Sequence, residues 1–133
     1  MPLYLYLSPH LDDAVLSCGG LVSRQTRSGD DVFILTVFAG DPPTGERSAF
    51  AALLAELWGA PDDPVGMRRA EDRAALGLLG AAWIHWQYPD CIFRHDPHNG
   101  TPFYPSREAV FGQVHPADGA VLVPELAARL QAL

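Results

Sequence analysis

The chain has 133 residues, nine basic and sixteen acidic side chains, and a formal net charge of −7. That length makes one domain, able to bury roughly two thirds of the surface its unfolded chain exposes. An acidic balance argues against nucleic acid as a partner, because phosphate-backbone binding needs clustered basic groups. All nine basic residues are arginine, and without lysine neither Schiff-base chemistry nor a Walker-type phosphate loop is available. No Gly-x-Ser-x-Gly occurs, which disfavours a serine hydrolase of the nucleophile-elbow kind. Cys18 and Cys91 lie far apart, outside any Cys-x-x-Cys pattern, so both read as small core residues.

In chain order, Met1 is followed almost at once by the run Leu3 to Leu7. With no basic leader and no long apolar stretch, the chain reads as cytoplasmic, without a signal peptide or a membrane span. Leu3 to Leu7 predicts a first strand buried on both faces. Ala14 to Ser28 predicts a helix stopped at Gly29. Val32 to Phe38 is the best strand, β-branched and aromatic, closing at Ala39-Gly40-Asp41-Pro42-Pro43. A strand, helix, strand order of this length implies a right-handed crossover and a parallel pair, with both strand ends facing one crevice. Ser48 to Trp58 and Met67 to Leu79 predict two more helices around the turn Pro61-Asp62-Asp63-Pro64. Ala82 to Trp86 is a third strand candidate, followed by a long irregular segment from Gln87 to Ser106, of a length that is usually functional or disordered. Asp118 to Leu133 predicts a final helix, weakened by Pro124.

These elements define an α/β class, a Rossmann-like three-layer fold with a mostly parallel sheet. A crossover helix should feed another strand, yet the sequence stops at Leu133. The chain therefore reads as one domain over 1–133 that is cut short on its C-terminal side. An uncovered sheet edge and helix face predict self-association, or a completing second chain, through Asp118 to Leu133.

The chemistry concentrates in Ser8-Pro9-His10-Leu11-Asp12-Asp13, directly after the first strand. In open parallel sheets the ligand crevice lies beyond the carboxyl ends of the strands. Imidazole plus carboxylate suits Zn²⁺ or a similar divalent ion. His10 and Asp13, three apart, share one side of a helical first turn, which leaves Asp12 free to face a reacting water. A plainer alternative stands beside this one: Asp12 or Asp13 as a helix N-cap, and His10 as a buried, hydrogen-bonded histidine.

Pro9-His10-Leu11-Asp12-Asp13 at a first strand's end resembles the His-Pro-Asp-Asp signature of the PIG-L/LmbE-like de-N-acetylases, zinc-dependent enzymes that remove acetyl groups from N-acetylglucosamine conjugates. Arg68-Arg69-Ala70-Glu71 with Leu79-Gly80 resembles that family's Arg-x-x-Glu helix ending in Leu-Gly, and Tyr88-Pro89-Asp90 before Phe93-Arg94 resembles its substrate loop. The resemblance implies His10 and Asp13 as ligands of Zn²⁺ or another divalent metal, and Asp12 as general base. Arg68 and Asp90 would hold sugar hydroxyls, with Gly40 and Asp41 at the second strand's end lining the same crevice, and the partner would be a small amino-sugar conjugate. Arg68 and Glu71 have a plainer reading as an exposed ion pair of little value.

Two departures from the family pattern are visible. Leu11 stands where proline is usual, and no late Gly-x-His-x-Asp-His segment supplies a third ligand. His85, His95, His98 and His115 are the remaining candidates. His95-Asp96-Pro97-His98 imitates a His-x-x-His but sits in an early loop; His85 reads as a core or rim histidine, and His115 as preceding a helix start. Two other functions compete: an inactive sugar- or metal-binding remnant, and a receiver-type phosphoacceptor module using Asp12, Asp13 and Asp90, against which the missing lysine counts.

Overall fold

A computed structural model describes all 133 residues. Strands β1 (Leu3–His10), β2 (Asp31–Phe38) and β3 (Ala82–His85) form a parallel sheet in the order β1-β2-β3. Leu3 lies opposite Asp31, and Phe33 opposite Ala82. The central strand carries the β-branched run, and its Val32, Ile34, Leu35 and Val37 are buried, as expected of a strand covered on both faces. Helices α1 (Asp13–Arg27) and α3 (Pro64–Leu79) cover one face, where Val22, Val32, Ile34 and Leu76 pack together. Beyond the short helix α4 (Arg107–Val110), helix α5 (Val123–Gln131) covers the other face, setting Leu126 and Leu130 against Leu35, Val37 and Trp86. These are three layers. Helix α2 (Ala49–Leu57) closes the end of the sheet, its Ala51 clustered with Leu11, Ala39, Val65, Ile92 and Phe93.

The local signals explain most boundaries. Ser48 accepts the Ala51 N–H to start α2, and Asp63 accepts the Gly66 N–H to start α3. Helix α3 opens three residues before the expected Met67, because Asp63-Pro64 is a cap followed by a proline in the first turn, where no N–H is needed. Pro124 disturbs the final helix locally: helical backbone runs on through Leu122 and Val123, but over Asp118–Leu122, just ahead of the proline, the bonding widens to a π-helical turn, as the missing Pro124 N–H cannot extend the ordinary ladder.

The expectation that β1 is buried on both faces is also corrected. Burial alternates along it: Tyr4, Tyr6 and Ser8 turn inward, while Leu3, Leu5 and Leu7 stay exposed. β1 is an edge strand, and no helix reaches across its outer face. Edge position also lets the strand run through Pro9 to His10, since a missing N–H costs little there.

The segment from Gln87 to Ser106 is anchored. Arg94 forks onto Asp118 with Nε and Nη2 at 3.2 and 2.7 Å, and the Tyr104 hydroxyl donates to the same carboxylate at 2.6 Å. Asp118 is buried and takes three donors, as a buried carboxylate requires. Burial, with the bond to Asp118, raises the Tyr104 pKa above the ordinary phenol value. Arg94 also donates to the Pro89 carbonyl at 2.8 Å, so this clamp fixes the backbone next to Asp90. No helix is long and apolar enough to cross a membrane.

Candidate active site

The β1–α1 junction is held by its backbone. Ser8 Oγ donates to the His10 carbonyl at 2.7 Å and accepts the Ala14 N–H at 3.2 Å. The His10 N–H goes to Asp13 Oδ2 at 2.9 Å, and the Leu11 carbonyl accepts from Arg68 Nη2 at 3.2 Å. The Asp12 N–H goes to Asp72 Oδ1 at 3.1 Å, while its carbonyl takes the Leu16 N–H at 2.9 Å. Asp12 adopts φ 71°, and no other non-glycine residue has positive φ. Such a conformation costs on the order of 1–3 kcal/mol and persists when surrounding bonds over-determine it; aspartate is among the residues that tolerate it best. Asp12 occupies the N-cap position, yet its side chain makes no capping bond. Its carboxylate is left for another use.

The side chains converge. His10 Nδ1 lies 3.3 Å from Asp13 Oδ2, and His10 Nε2 lies 3.6 Å from Asp90 Oδ2. Asp12 Oδ2 lies 3.9 Å from Arg68 Nη2, and that guanidinium sits over the Trp58 ring at 4.8 Å. His10, Asp13, Arg68 and Asp90 line one cleft of about 660 Å³ with an apolar wall of Phe50, Leu54, Trp58, Val110 and Phe111, and Arg107 at its edge. Asp12 flanks that cleft through Arg68. Its pKa is raised, first by burial and next by Asp72, with Glu71 and Asp13 adding and Arg68 opposing. Cys91, also in the cleft lining, has its thiol pushed up to about 12 by burial and by Asp90.

Gly40 and Asp41 are placed elsewhere. Gly40 donates to the Tyr88 carbonyl at 2.9 Å, and a Cβ there would stand 2.2 Å from the Gln87 carbonyl oxygen, so this glycine lets two backbones meet. Asp41 pairs with Arg69 at 2.6 Å in a largely exposed bridge. Neither belongs to the cleft lining.

The donor set answers in part whether a divalent ion fits. Two donors bound at about 2.1 Å to a tetrahedral ion stand about 3.4 Å apart, and His10 Nδ1 and Asp13 Oδ2 are 3.3 Å apart. They fit as a pair. No group of three or more His, Cys, Asp or Glu side chains is assembled to hold a metal, whereas a catalytic zinc site normally has three protein donors. The other histidines are engaged away from the pair: His95 Nδ1 lies 3.3 Å from the Phe93 carbonyl, and His115 stacks on Phe103 at 4.2 Å between centroids. His98 is exposed in a turn. His85 is buried against Asp72, Nε2 to Oδ2 at 2.8 Å.

Asp72 and the aromatic wall are the parts that sequence reasoning missed. One signal was present: Asp72 follows Arg68 by four residues on α3, which puts both on one helix face. Phe50, Leu54 and Trp58 share the same spacing on and just after α2, but nothing local says that this stripe faces the strand ends.

An α/β domain with a histidine and carboxylates gathered at its strand ends is the setting in which the comparisons with known proteins fall. Residues 5–124 match the PIG-L family, described as GlcNAc-PI de-N-acetylase, and the chain belongs to that family. It is 28% identical over 140 residues to the 2'-N-acetylparomamine deacetylase of Niallia circulans, a match covering 96% of this chain and 50% of that protein. A deacetylase of the teicoplanin biosynthesis pathway, solved as its bog complex, superposes with TM-score 0.84 at 37% identity, over 98% of this chain and 50% of that one. The zinc-inhibited form of teicoplanin deacetylase is similar at TM-score 0.83 and 36% identity, over 98% and 51% of the two chains. The chain thus spans about half the length of these relatives.

Proposed function

We propose that this domain carries the hydrolytic half-site of a metal-dependent deacetylase that removes an acetyl group from an N-acetylglucosamine-type conjugate. The observation that carries the reading is the convergence of His10, Asp13, Asp90 and Arg68 on one cleft, with Asp12 beside them. Zn²⁺ or another divalent ion on His10 and Asp13 would acidify the attacking water and polarise the acyl carbonyl. A third protein donor would complete the set that a catalytic zinc normally has.

The chain's own groups account for the other steps. As the water oxygen attacks the acyl carbon, Asp12 takes the water proton and later returns it to the amine nitrogen as the C–N bond breaks, releasing acetate and a free amine. A carboxyl whose pKa is raised toward the working pH suits this proton traffic. Arg68 and Asp90 would orient sugar hydroxyls, and the wall of Phe50, Leu54 and Trp58 would hold the apolar part of the conjugate.

The test is amine release from an N-acetylglucosamine conjugate in excess zinc, comparing wild type with Asp12→Asn. Loss of a positioned acid–base group costs about 10²–10⁴ in rate, so slow release by the wild type should fall to background. Release undiminished in Asp12→Asn overturns the assignment. The two-donor count favours a second reading, an inactive sugar- or metal-binding remnant. Zinc uptake with no amine release, even when a completing chain is supplied, would favour that reading.

A further inference from the structure

Beneath the β1–α1 junction lies a buried aspartate–histidine pair that the proposed reaction does not use. Asp72 on α3 and His85 at the end of β3 have side chains only 3% exposed and meet at 2.8 Å. Burying two such polar side chains is costly unless they hydrogen-bond to each other. The pair's geometry gives it another task. Asp72 divides its two oxygens: Oδ2 faces His85 Nε2, and Oδ1 accepts the N–H of Asp12, sixty residues away. With Oδ2 against His85 Nε2 and Oδ1 against the Asp12 N–H, the Asp72 carboxylate is held in one orientation. The residue whose N–H is captured is the one with left-handed backbone. His85 also pairs in register with Thr36, which pairs with Ser8, and Ser8 holds the His10 carbonyl and the Ala14 N–H. Ser8 thus braces the backbone on either side of Asp12, while Asp72 bonds the Asp12 N–H itself.

The geometry points to Asp72 and His85 as positioning residues: the buried pair pins the Asp12 backbone in its left-handed conformation and thereby sets the direction of the Asp12 carboxylate. This role rests on the proposed assignment of Asp12 as the base. The pair acts through the peptide N–H of Asp12 and touches neither substrate nor metal donors. Helix α3 and strand β3 would then share in the chemistry at the end of β1, although neither contributes a reacting atom.

The experiment follows amide hydrogen exchange at Asp12 by NMR, together with steady-state amine release, in the full chain. Three proteins are compared: wild type, Asp72→Asn, and the double variant Asp72→Leu/His85→Phe. The asparagine keeps a carbonyl oxygen for the Asp12 N–H. The double variant removes both polar partners at once, which leaves neither unpaired. Expected are slow Asp12 exchange in the wild type, near-normal exchange and kcat in Asp72→Asn, and at least tenfold faster Asp12 exchange in the double variant, with β2 amides unchanged. In the double variant kcat should fall at least tenfold while KM moves less than twofold. An Asp12 amide that exchanges like a free loop amide in the wild type overturns the proposal, whatever the variants do. So does a folded double variant with unchanged kcat and unchanged Asp12 exchange. A wild type with a protected Asp12 amide and no amine release would instead strike the deacetylase reading, and the exchange comparison would still decide the anchor.

Discussion

The His10 imidazole, carried to the end of β1, stands 3.6 Å from the Asp90 carboxylate that follows β3. His10 ends one outer strand and Asp90 lies five residues beyond the other, so the contact bridges the central strand at its carboxyl end. Asp13 approaches the other ring nitrogen at 3.3 Å. One imidazole thus sits between two carboxylates, and the three together set the charge at the head of the cleft.

Zinc binding should separate the roles of these acids. His10→Ala and Asp13→Ala are each expected to weaken zinc at least tenfold, read by competition with a chromophoric chelator, while Asp12→Asn stays within about threefold, because removing a donor removes a bond whereas removing a proton acceptor does not. Equal zinc affinity in all four proteins would disprove the donor assignment.

Gly40 should resist even the smallest side chain. A Cβ at that position would press on the Gln87 carbonyl oxygen at 2.2 Å, and backbone cannot rotate aside as a side chain does. Gly40→Ala is expected to lose about 1–3 kcal/mol, the usual range for overpacking, in urea unfolding. A change below about 0.5 kcal/mol, the size of a benign surface substitution, would mean that the 86–90 segment yields freely.

The Tyr104 hydroxyl gives a pH signature. Its pKa is raised in the folded protein, so above pH about 10 the unfolded chain releases this proton first and the native state binds more protons. The contribution to stability is therefore complete below about pH 10 and is lost as pH rises through the folded value. Tyr104→Phe should be less stable than wild type at neutral pH, and the gap should narrow in unfolding curves taken above pH 10. A gap that widens there would reverse the sign.

Cys91 should be nearly inert. With its thiol pushed up to about 12, only about one part in ten thousand is thiolate at pH 8, and the thiolate is the nucleophile. Mass spectrometry after timed iodoacetamide treatment of the native protein should find Cys91 unmodified long after a free thiol has reacted. Fast modification would show that the segment around Asp90 opens readily.

What could be read from the sequence follows the range of the forces involved. Val32 to Phe38 announces a central strand because β-branched density reports burial on both faces, and the His10 to Asp13 cluster shows itself because its members are neighbours in the chain. Leu3, Leu5 and Leu7 mislead, since a leucine run carries no mark of edge position, and edge position depends on the strand order. Pro124 marks the disturbance of the final helix, since it lacks the N–H an ordinary ladder needs, but the π-helical form of that disturbance has no local signature. The partnership of Asp72 with His85 joins two elements, and only the packing of α3 on the sheet brings them to 2.8 Å. For Gly40, the sequence marks a turn, while the structure reveals a close parallel pairing with the backbone of Tyr88 and Pro89.

The way the β1–α1 junction is tied has a consequence for how this protein can vary. The main-chain groups of residues 10 to 14 are held mainly by Ser8, Arg68 and Asp72, outside the junction, and by one bond from Asp13 within it. The His10 side chain makes no bond to these main-chain groups, so exchange there alters reactivity without redrawing the frame, whereas position 12, with its left-handed backbone, takes without strain only residues such as asparagine or glycine. At position 13 chemistry and architecture are one property of a single carboxylate. A lineage could retune or silence His10, or exchange Asp12 for asparagine or glycine, and keep the fold, whereas a change at Asp13 would disturb both together.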